Sequence, residues 1–267
     1  MKKISLLLLS IICIASADAQ LSHLFSKSKK TDSLSIKQST KNKTAPVLKG
    51  EKKDWSKVNL SQRPADHFMM QFGYDGWTGR PDSVKTTGFG RHFNMYVMFD
   101  KPLQSDPHYS VAYGIGLGTS NIFFDHEYVK VWGVGSTLAF DSTTRFKKSK
   151  VTTIYVQIPV ELRYYSNPEN PGKSWKAAIG VKAGILAKAY FKGKDLLDGN
   201  GNSIFGPSYI KKEYDKNFFN SSLVTATARF GYGIFSLHGD FQITPILKPG
   251  AGANMHTFSI GLTVSGL

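Results

Sequence analysis

The residues of this sequence that could do chemistry are titratable side chains in segments where apolar and polar residues alternate. A period of two is the geometry of a β-strand, so these side chains are predicted to lie on the face opposite the apolar one. Two kinds of chemistry fit: ion pairs that fill an enclosed space, or a narrow gate or proton-responsive site around His238 and Asp240. Ion pairing is favoured because unpaired charges in a confined space are costly. The set is Asp75, Arg91, Glu161, Arg163, Lys176, Lys182, Lys188, Arg229, His238 and Asp240.

Catalytic and metal-binding motifs are weak in this chain. There is no G-x-S-x-G or H-E-x-x-H motif, and the single cysteine, Cys13, lies near the N-terminus. His256 and Ser259 suggest a lipid-modifying enzyme, but their odd spacing places them on opposite faces of a strand. The segment 198–202, Asp-Gly-Asn-Gly-Asn, begins like a calcium loop, yet Ser203 stands where the turn glycine belongs. We therefore predict no catalytic residue, no metal site and no cofactor.

Eight alternating segments between Asp66 and Leu267 must position the titratable residues. In the segment 109–117, one face is apolar or aromatic and the other is Ser, Ala and Gly, which suits a crowded barrel lumen better than a solvated surface. An even number of such segments predicts an all-β fold, an eight-stranded antiparallel transmembrane β-barrel with a disordered N-terminal tail. The predicted strands are 66–77, 88–101, 108–122, 150–165, 175–192, 219–232, 235–243 and 255–265.

The predicted connections alternate in length. Three are tight (102–107, 166–173 and 232–233), and four are longer (78–87, 123–149, 193–217 and 246–253). In outer-membrane barrels the tight turns are periplasmic and the longer loops extracellular. We therefore expect a protein of the cell outer membrane whose two termini both lie in the periplasm.

The N-terminal quarter of the chain has a different composition. Residues 1–19 have a basic start, a short apolar run and a small-x-small end, which predict a secretory signal peptide. Residues 20–65 are rich in Lys, Ser and Thr and predict a disordered periplasmic tail, followed by the barrel domain 66–267. Eleven Lys and Arg against three Asp and Glu give the tail about +8 of the formal +15. A simple spacer is favoured over a segment that binds anionic headgroups, and a nucleic-acid partner is not expected.

The two longest connections carry aromatic residues among lysines. Contact with partner proteins or with lipopolysaccharide phosphates is one interpretation, and packing of the loops over the barrel mouth is an equally good one. The expected partners are outer-membrane lipids, lipopolysaccharide and other outer-membrane or periplasmic proteins. The candidate contact residues are Phe124, Tyr128, Trp132, Phe205 and Tyr209.

Three segments resemble a known family: 114–122 (GIGLGTSNI), 155–164 (YVQIPVELRY) and 237–245 (LHGDFQITP). They are similar to the outer-membrane β-barrel family of Bacteroidota labelled PorT-like, and the resemblance covers about 66–267. It implies an outer-membrane barrel and, through the members named PorT, an association with a secretion apparatus. The expected function is a non-enzymatic structural or assembly component of a secretion or outer-membrane protein insertion complex. A small channel and a lipid-modifying outer-membrane enzyme are the alternatives.

Overall fold

The protein is represented by a computed structural model that describes residues 67–133 and 135–266. The predicted signal peptide, 1–19, and basic tail, 20–65, lie outside the described residues. In chain order the strands are β1 (Phe68–Thr78), β2 (Arg91–Pro102), β3 (Tyr109–Phe124), β4 (Tyr128–Lys130), β5 (Ala139–Asp141), β6 (Arg145–Tyr165), β7 (Trp175–Leu197), β8 (Ile210–Tyr214), β9 (Ser222–Tyr232), β10 (Phe235–Gln242) and β11 (His256–Ser265).

Eight of these strands form a closed antiparallel barrel. Their order around the wall is β6, β3, β2, β1, β11, β10, β9 and β7, and pairing of β6 with β7 completes the circle. Strand β8 pairs with β7 beyond the wall, and β4 and β5 form a separate hairpin. The predicted eight-stranded antiparallel β-barrel is therefore confirmed.

The alternation sorts the side chains between two environments. Outward residues such as Val97, Ile115 and Ile158 are exposed, as expected where lipid replaces water, and inward neighbours such as Tyr96 and Gln157 are buried. Small residues on one strand make room for large ones on the next. A β-carbon added to Gly116, for example, would lie 2.5 Å from Cδ1 of Tyr96 and 2.0 Å from the carbonyl oxygen of Met95.

The two ends of the barrel differ. The connections after β2, β6 and β9 are short; the last is only two residues, and it begins with Gly233 at φ +60°, a conformation that glycine adopts without strain. The connections at the other end are longer and contain β4, β5 and β8. Strand β1 begins, and β11 ends, at the end with the short turns.

The barrel wall rises higher than predicted on one side. Strand β6 begins at Arg145 instead of Lys150, and β7 continues to Leu197 instead of Lys192, because the two strands keep pairing through this region. Within the described residues the only helical element is the turn Pro171–Lys173, and no helix there is long and apolar enough to cross a membrane.

A β-bulge in β7 corrects one predicted lumen residue. Tyr155 of β6 faces Leu186, but its neighbour Ile154 faces Lys188, so Ala187 is an extra residue on β7. The extra residue reverses the alternation above it. Leu186 and Ala189 are buried, whereas Lys188 is exposed, with Nζ 4.5 Å from the centre of the Tyr214 ring. The prediction that Lys188 faces the lumen is therefore wrong.

Candidate functional site

The lumen is the candidate functional site, and the first of its three levels lies near the short turns. Here Glu161 Oε2 accepts hydrogen bonds from Arg163 Nε at 2.9 Å and from Arg229 Nη2 at 2.9 Å. Arg163 Nη1 also lies 3.7 Å from Asp100 Oδ1. All four side chains are at most 3% exposed. We call Asp100, Glu161, Arg163 and Arg229 the arginine cluster; alternating signs at short distances make it a compact ion-pair network.

An ion pair between β7 and β10 lies in the middle level. Lys182 Nζ lies 2.6 Å from Asp240 Oδ2 and donates to Gln71 Oε1 at 2.7 Å. Thr227 Oγ1 donates to the second carboxylate oxygen of Asp240 at 2.6 Å. The ammonium also lies 5.5 Å from the centre of the Tyr96 ring. Both charges are thus satisfied by protein groups, as buried charges require.

Two histidines meet beside this ion pair. His92 Nδ1 lies 2.7 Å from Asp75 Oδ1, and His92 Nε2 lies 2.9 Å from His238 Nε2. Ser259 Oγ donates to Asp75 Oδ1 at 2.5 Å, and Ser120 Oγ donates to Asp75 Oδ2. The Asp75 carboxylate therefore accepts from three side chains on three different strands.

The partners indicate which nitrogen of each ring carries hydrogen. A carboxylate only accepts, so His92 Nδ1–H donates to Asp75. Gln71 Nε2 donates to Thr263 Oγ1 at 3.2 Å, which leaves the hydrogen of Thr263 to donate to His238 Nδ1 at 3.0 Å. His238 Nε2–H then donates to His92 Nε2, and the pattern is that of two neutral rings.

The donors run in one direction across the lumen, from the Lys182 ammonium to the Asp75 carboxylate. We call these residues the histidine network: Asp75, His92, His238, Thr263, Gln71 and Lys182. Hydrogens on both facing Nε2 atoms would be incompatible with the 2.9 Å contact between the two rings.

The third level closes the end with the long loops. It is a cluster of buried apolar side chains from the upper strands and loops, which we call the apolar cap. Aromatic rings dominate it: the Trp77 and Phe124 centroids are 5.5 Å apart, and Phe191 lies 5.0 Å from Tyr128 and 5.6 Å from Phe146. Because these rings pack against one another across the mouth, apolar contacts seal this end of the barrel.

Tyr128 joins the apolar cap to polar groups above it. Its hydroxyl donates to Glu213 Oε2 at 2.5 Å and accepts from Lys211 Nζ at 3.2 Å. Burial and the hydrogen bond to Glu213 raise the pKa of the Tyr128 hydroxyl. Burial alone would lower the pKa of Lys211, but its bonds to Glu213 and Tyr128 outweigh burial and raise it.

A small cavity lies between the histidine network and the apolar cap. Its volume is about 60 Å³, and its lining includes Asp75, His92, Lys182, Tyr155 and Leu223. That space holds only a few water molecules. Packed side chains lie on both sides of this space, in the histidine network and in the apolar cap.

The structure brings most of the predicted charged residues together in the lumen. Arg91 is the second exception after Lys188: it is exposed on the outer wall, with Cζ 5.4 Å from the centre of the Phe123 ring. Successive residues of a strand point to opposite faces of the wall, so Arg91 points outward because the adjacent His92 points inward. The residues that do lie in the lumen are Asp75, Glu161, Arg163, Lys176, Lys182, Arg229, His238 and Asp240.

The candidate charged set omitted several members of the two networks. Asp100, Gln71 and Thr263 lie on the inward faces of their strands. The alternation of inward and outward positions was the sequence feature that could have placed them in the lumen. His92 is also buried on the inward face of β2, and the candidate titratable set did not include it. Its contact with His238 joins positions 146 residues apart, and local sequence does not show this contact.

The candidate contact aromatics divide into two groups. Phe124 and Tyr128 are 1% and 7% exposed and belong to the apolar cap, so they are not contact residues on the surface. Their loops fold back over the mouth, as the packing interpretation expects. Trp132 and Phe205 are 71% and 63% exposed, and Tyr209 is partly buried beside Phe205, with ring centroids 5.0 Å apart.

The loop at Asp198 is a hydrogen-bonded turn. Asp198 Oδ1 accepts from the backbone nitrogens of Asn200 at 2.9 Å and Asn202 at 2.8 Å. Hydrogen bonding to the backbone of Asn202 and Asn200 holds the pKa of Asp198 below its usual value. Across residues 67–133 and 135–266, no group of three or more His, Cys, Asp or Glu side chains is placed to hold a metal ion.

Comparison with known proteins agrees with this architecture. No curated protein matches the chain significantly. The family described as outer membrane protein beta-barrel domain matches residues 67–248, which include β1 to β10. Strand β11 follows the matched region and closes the wall between β10 and β1. The chain therefore belongs to the outer membrane protein beta-barrel domain family, and the protein is an outer-membrane β-barrel.

Proposed function

We propose that this barrel is a non-enzymatic structural or assembly component of the outer membrane, within a PorT-like secretion or outer-membrane protein insertion complex. The observation that carries the proposal is the closed lumen. Its arginine cluster, histidine network and apolar cap fill three successive levels, with a cavity of only about 60 Å³ between the upper two. A barrel that has no room for a solute acts through its outer surfaces.

The accessible surfaces support a contact role. Trp132 and Phe205 project from the long loops, where large apolar side chains have no lipid to cover them. Partner proteins at the cell surface would bury these rings. We also propose that the basic tail, residues 20–65, lies in the periplasm, because β1 begins at the end with the short turns and such turns are periplasmic in outer-membrane barrels.

Planar-bilayer recording tests the absence of transport. The purified protein is expected to give no long-lived conductance steps, because the arginine cluster and the apolar cap block both ends. Salt-dependent steps from the wild-type protein would contradict the proposal. A selective rise in conductance in Glu161→Ala would instead identify the cluster as a gate.

Site-specific photo-crosslinking in intact cells tests the assembly role. A photoreactive amino acid at Trp132 or Phe205 is expected to form a discrete adduct with an outer-membrane or secreted protein. The matched control is the same probe at Asn200, an exposed polar position in the Phe205 loop. If all three positions give the same adducts, or none, the proposed contact role of these loops is wrong.

Accessibility to external reagents tests the orientation. A tag inserted near Asn200 should bind antibody on intact cells, whereas a tag near Lys41 should bind only after the outer membrane is opened. The opposite pattern would place the long loops in the periplasm.

A further inference from the structure

A row of cations surrounds part of the outer wall, at the upper edge of its apolar zone and just above it. All seven side chains point away from the lumen and are exposed or half-buried. We call them the basic strip: Arg91, Lys148, Lys150, Lys188, Lys192, Lys194 and Lys212. They come from β2, β6, β7 and β8, which pair with one another directly or through β3.

The height of the strip matches the edge of a bilayer. On β6 the outward residues from Tyr164 up to Ile154 are apolar or aromatic. At a rise of about 3.3 Å per residue and a tilt of about 40°, this length spans roughly 25 Å, the thickness of the apolar band in outer-membrane barrels. Thr152 is the next outward residue, and Lys150 and Lys148 follow above it, at headgroup level.

The strand register sets like charges directly opposite one another. Lys150 of β6 pairs with Lys192 of β7, and Lys192 pairs with Lys212 of β8. One step higher, Lys148 pairs with Lys194. Directly opposed like charges destabilise a sheet. Such an arrangement becomes favourable when an anion lies across the strands.

The described part of the protein supplies no ion-pair partner for the strip. Some other lysines of the described chain have acidic partners: Lys130 lies 3.4 Å from Asp141, and Lys211 lies 3.0 Å from Glu213. Among residues 67–133 and 135–266, none of the seven strip cations makes an ion pair. Within the described residues, the positive charges of the strip therefore have no acidic side chain paired with them.

Neutral groups hold the strip cations in place. Lys150 Nζ donates to Asn121 Oδ1 at 2.6 Å. Arg91 and Lys150 both lie over the Phe123 ring, at 5.4 and 5.8 Å from its centre. Lys188 lies over the Tyr214 ring, as described above. The cations are thus positioned but not neutralised, which lowers the cost of ordering them around an anion.

We propose that the basic strip binds the phosphate groups of lipopolysaccharide in the outer leaflet. The strip supplies cations at phosphate level, and the apolar wall directly below it, at Ile154, Val156 and Ile185, contacts the acyl chains. Lysine is a point-charge ligand for phosphate, and each lysine near an anionic surface strengthens binding about fivefold. The proposal rests on the orientation given above, with the long loops outside the cell.

The test is direct binding of the full-length protein in nanodiscs of phosphatidylcholine with and without lipopolysaccharide. The test variant is Lys150→Gln/Lys192→Gln/Lys212→Gln. It is expected to bind lipopolysaccharide roughly a hundredfold more weakly than the wild type. The matched control is Lys85→Gln/Lys173→Gln/Lys216→Gln, which removes the same charge from exposed sites outside the strip and should bind within twofold of the wild type.

Two further ligands test whether the barrel binds the phosphate groups of lipopolysaccharide: the dephosphorylated lipid and inorganic phosphate. Lipopolysaccharide treated with phosphatase should bind the wild-type barrel as weakly as intact lipopolysaccharide binds the test variant. Inorganic phosphate at equal phosphorus concentration should bind far more weakly than the lipid. Equal loss in the test and control variants, no effect of phosphatase, or equally tight binding of free phosphate would each overturn the proposal.

Folding and orientation are controlled separately. If the triple variant does not fold, Lys192→Gln alone should reduce binding about fivefold relative to Lys85→Gln. An unchanged affinity would contradict the proposal. Both faces of a nanodisc are accessible, so this result does not depend on orientation or on the crosslinking result.

Discussion

The ion pair between Lys182 and Asp240 provides the most direct test of the closed lumen. In Lys182→Met, the apolar side chain replaces the ammonium while Asp240 keeps its charge. Asp240 would retain the Thr227 hydrogen bond at 2.6 Å but lose its cation at 2.6 Å, and Gln71 Oε1 would lose its donor at 2.7 Å. Removing one partner of a buried pair costs about 3–5 kcal/mol, because the remaining charge is not compensated.

A double variant separates the free-energy cost of leaving the Asp240 carboxylate unpaired from the cost of lost packing. In Lys182→Met/Asp240→Asn no charge remains, and Thr227 can still donate to the amide oxygen. The double variant should therefore recover about 2–3 kcal/mol relative to the sum of the single changes. Lys101→Met, which removes an exposed lysine from β2, should change stability by less than about 0.5 kcal/mol.

Equilibrium urea unfolding in lipid vesicles, followed by tryptophan fluorescence, measures these free energies. The design compares wild type, both single variants, the double variant and the exposed-lysine control. If Lys182→Met costs less than about 1 kcal/mol and the two single effects add, the charges are solvated and the lumen is not closed around them.

Three other changes test the wall, the close strand contacts and the upper hairpin. Ile260→Arg should cost about 2–4 kcal/mol by urea titration in vesicles, because this exposed residue faces lipid; a neutral effect would reverse the inside–outside assignment. Gly116→Ala should cost about 1–3 kcal/mol in the same assay because its β-carbon would collide with Tyr96, and an unchanged midpoint would show that the strands can separate there. The Thr143 hydroxyl lies 2.5 Å from Asp141 and holds the pKa of this carboxyl below its usual range. Asp141 therefore stabilises the β4–β5 hairpin above about pH 4 and loses this effect as the pH falls. Hydrogen exchange at Thr143 should accelerate between pH 5 and pH 2, after correction for intrinsic rates, more than in Asp141→Asn; equal acceleration would contradict this role.

The sequence predicts the wall of the barrel well because one physical rule governs it. Lipid outside and a crowded lumen inside demand opposite residue types at successive positions, so Phe93 and Asn94, for example, can be assigned from their types. The same rule identified Glu161 and Arg229 as lumen residues. The paired networks are less visible, because the contact of His92 with His238 depends on closure of the whole wall.

The errors also have physical causes. Ala187 is small and fits either environment, so its sequence does not show that it is an extra residue on β7, and the Lys188 prediction is wrong for that reason. Phe124 and Trp132 are both aromatic residues in a long connection, but only the first is buried. Which ring is covered depends on how the loop folds back, and residue type alone does not determine this.

The bulge at Ala187 lets β7 match two different environments along its length. Below the bulge, β7 directs Lys182 inward and Ile185 outward; above it, β7 directs Phe191 inward and Lys192 outward. The lower barrel thus follows the residue distribution of a membrane protein, and the upper barrel follows that of a water-soluble one. Moving the barrel up would expose apolar wall to water, and moving it down would bring lysines into hydrocarbon. The inserted residue therefore keeps Lys192 outward on β7, and without it Lys192 would point among the rings that seal the mouth.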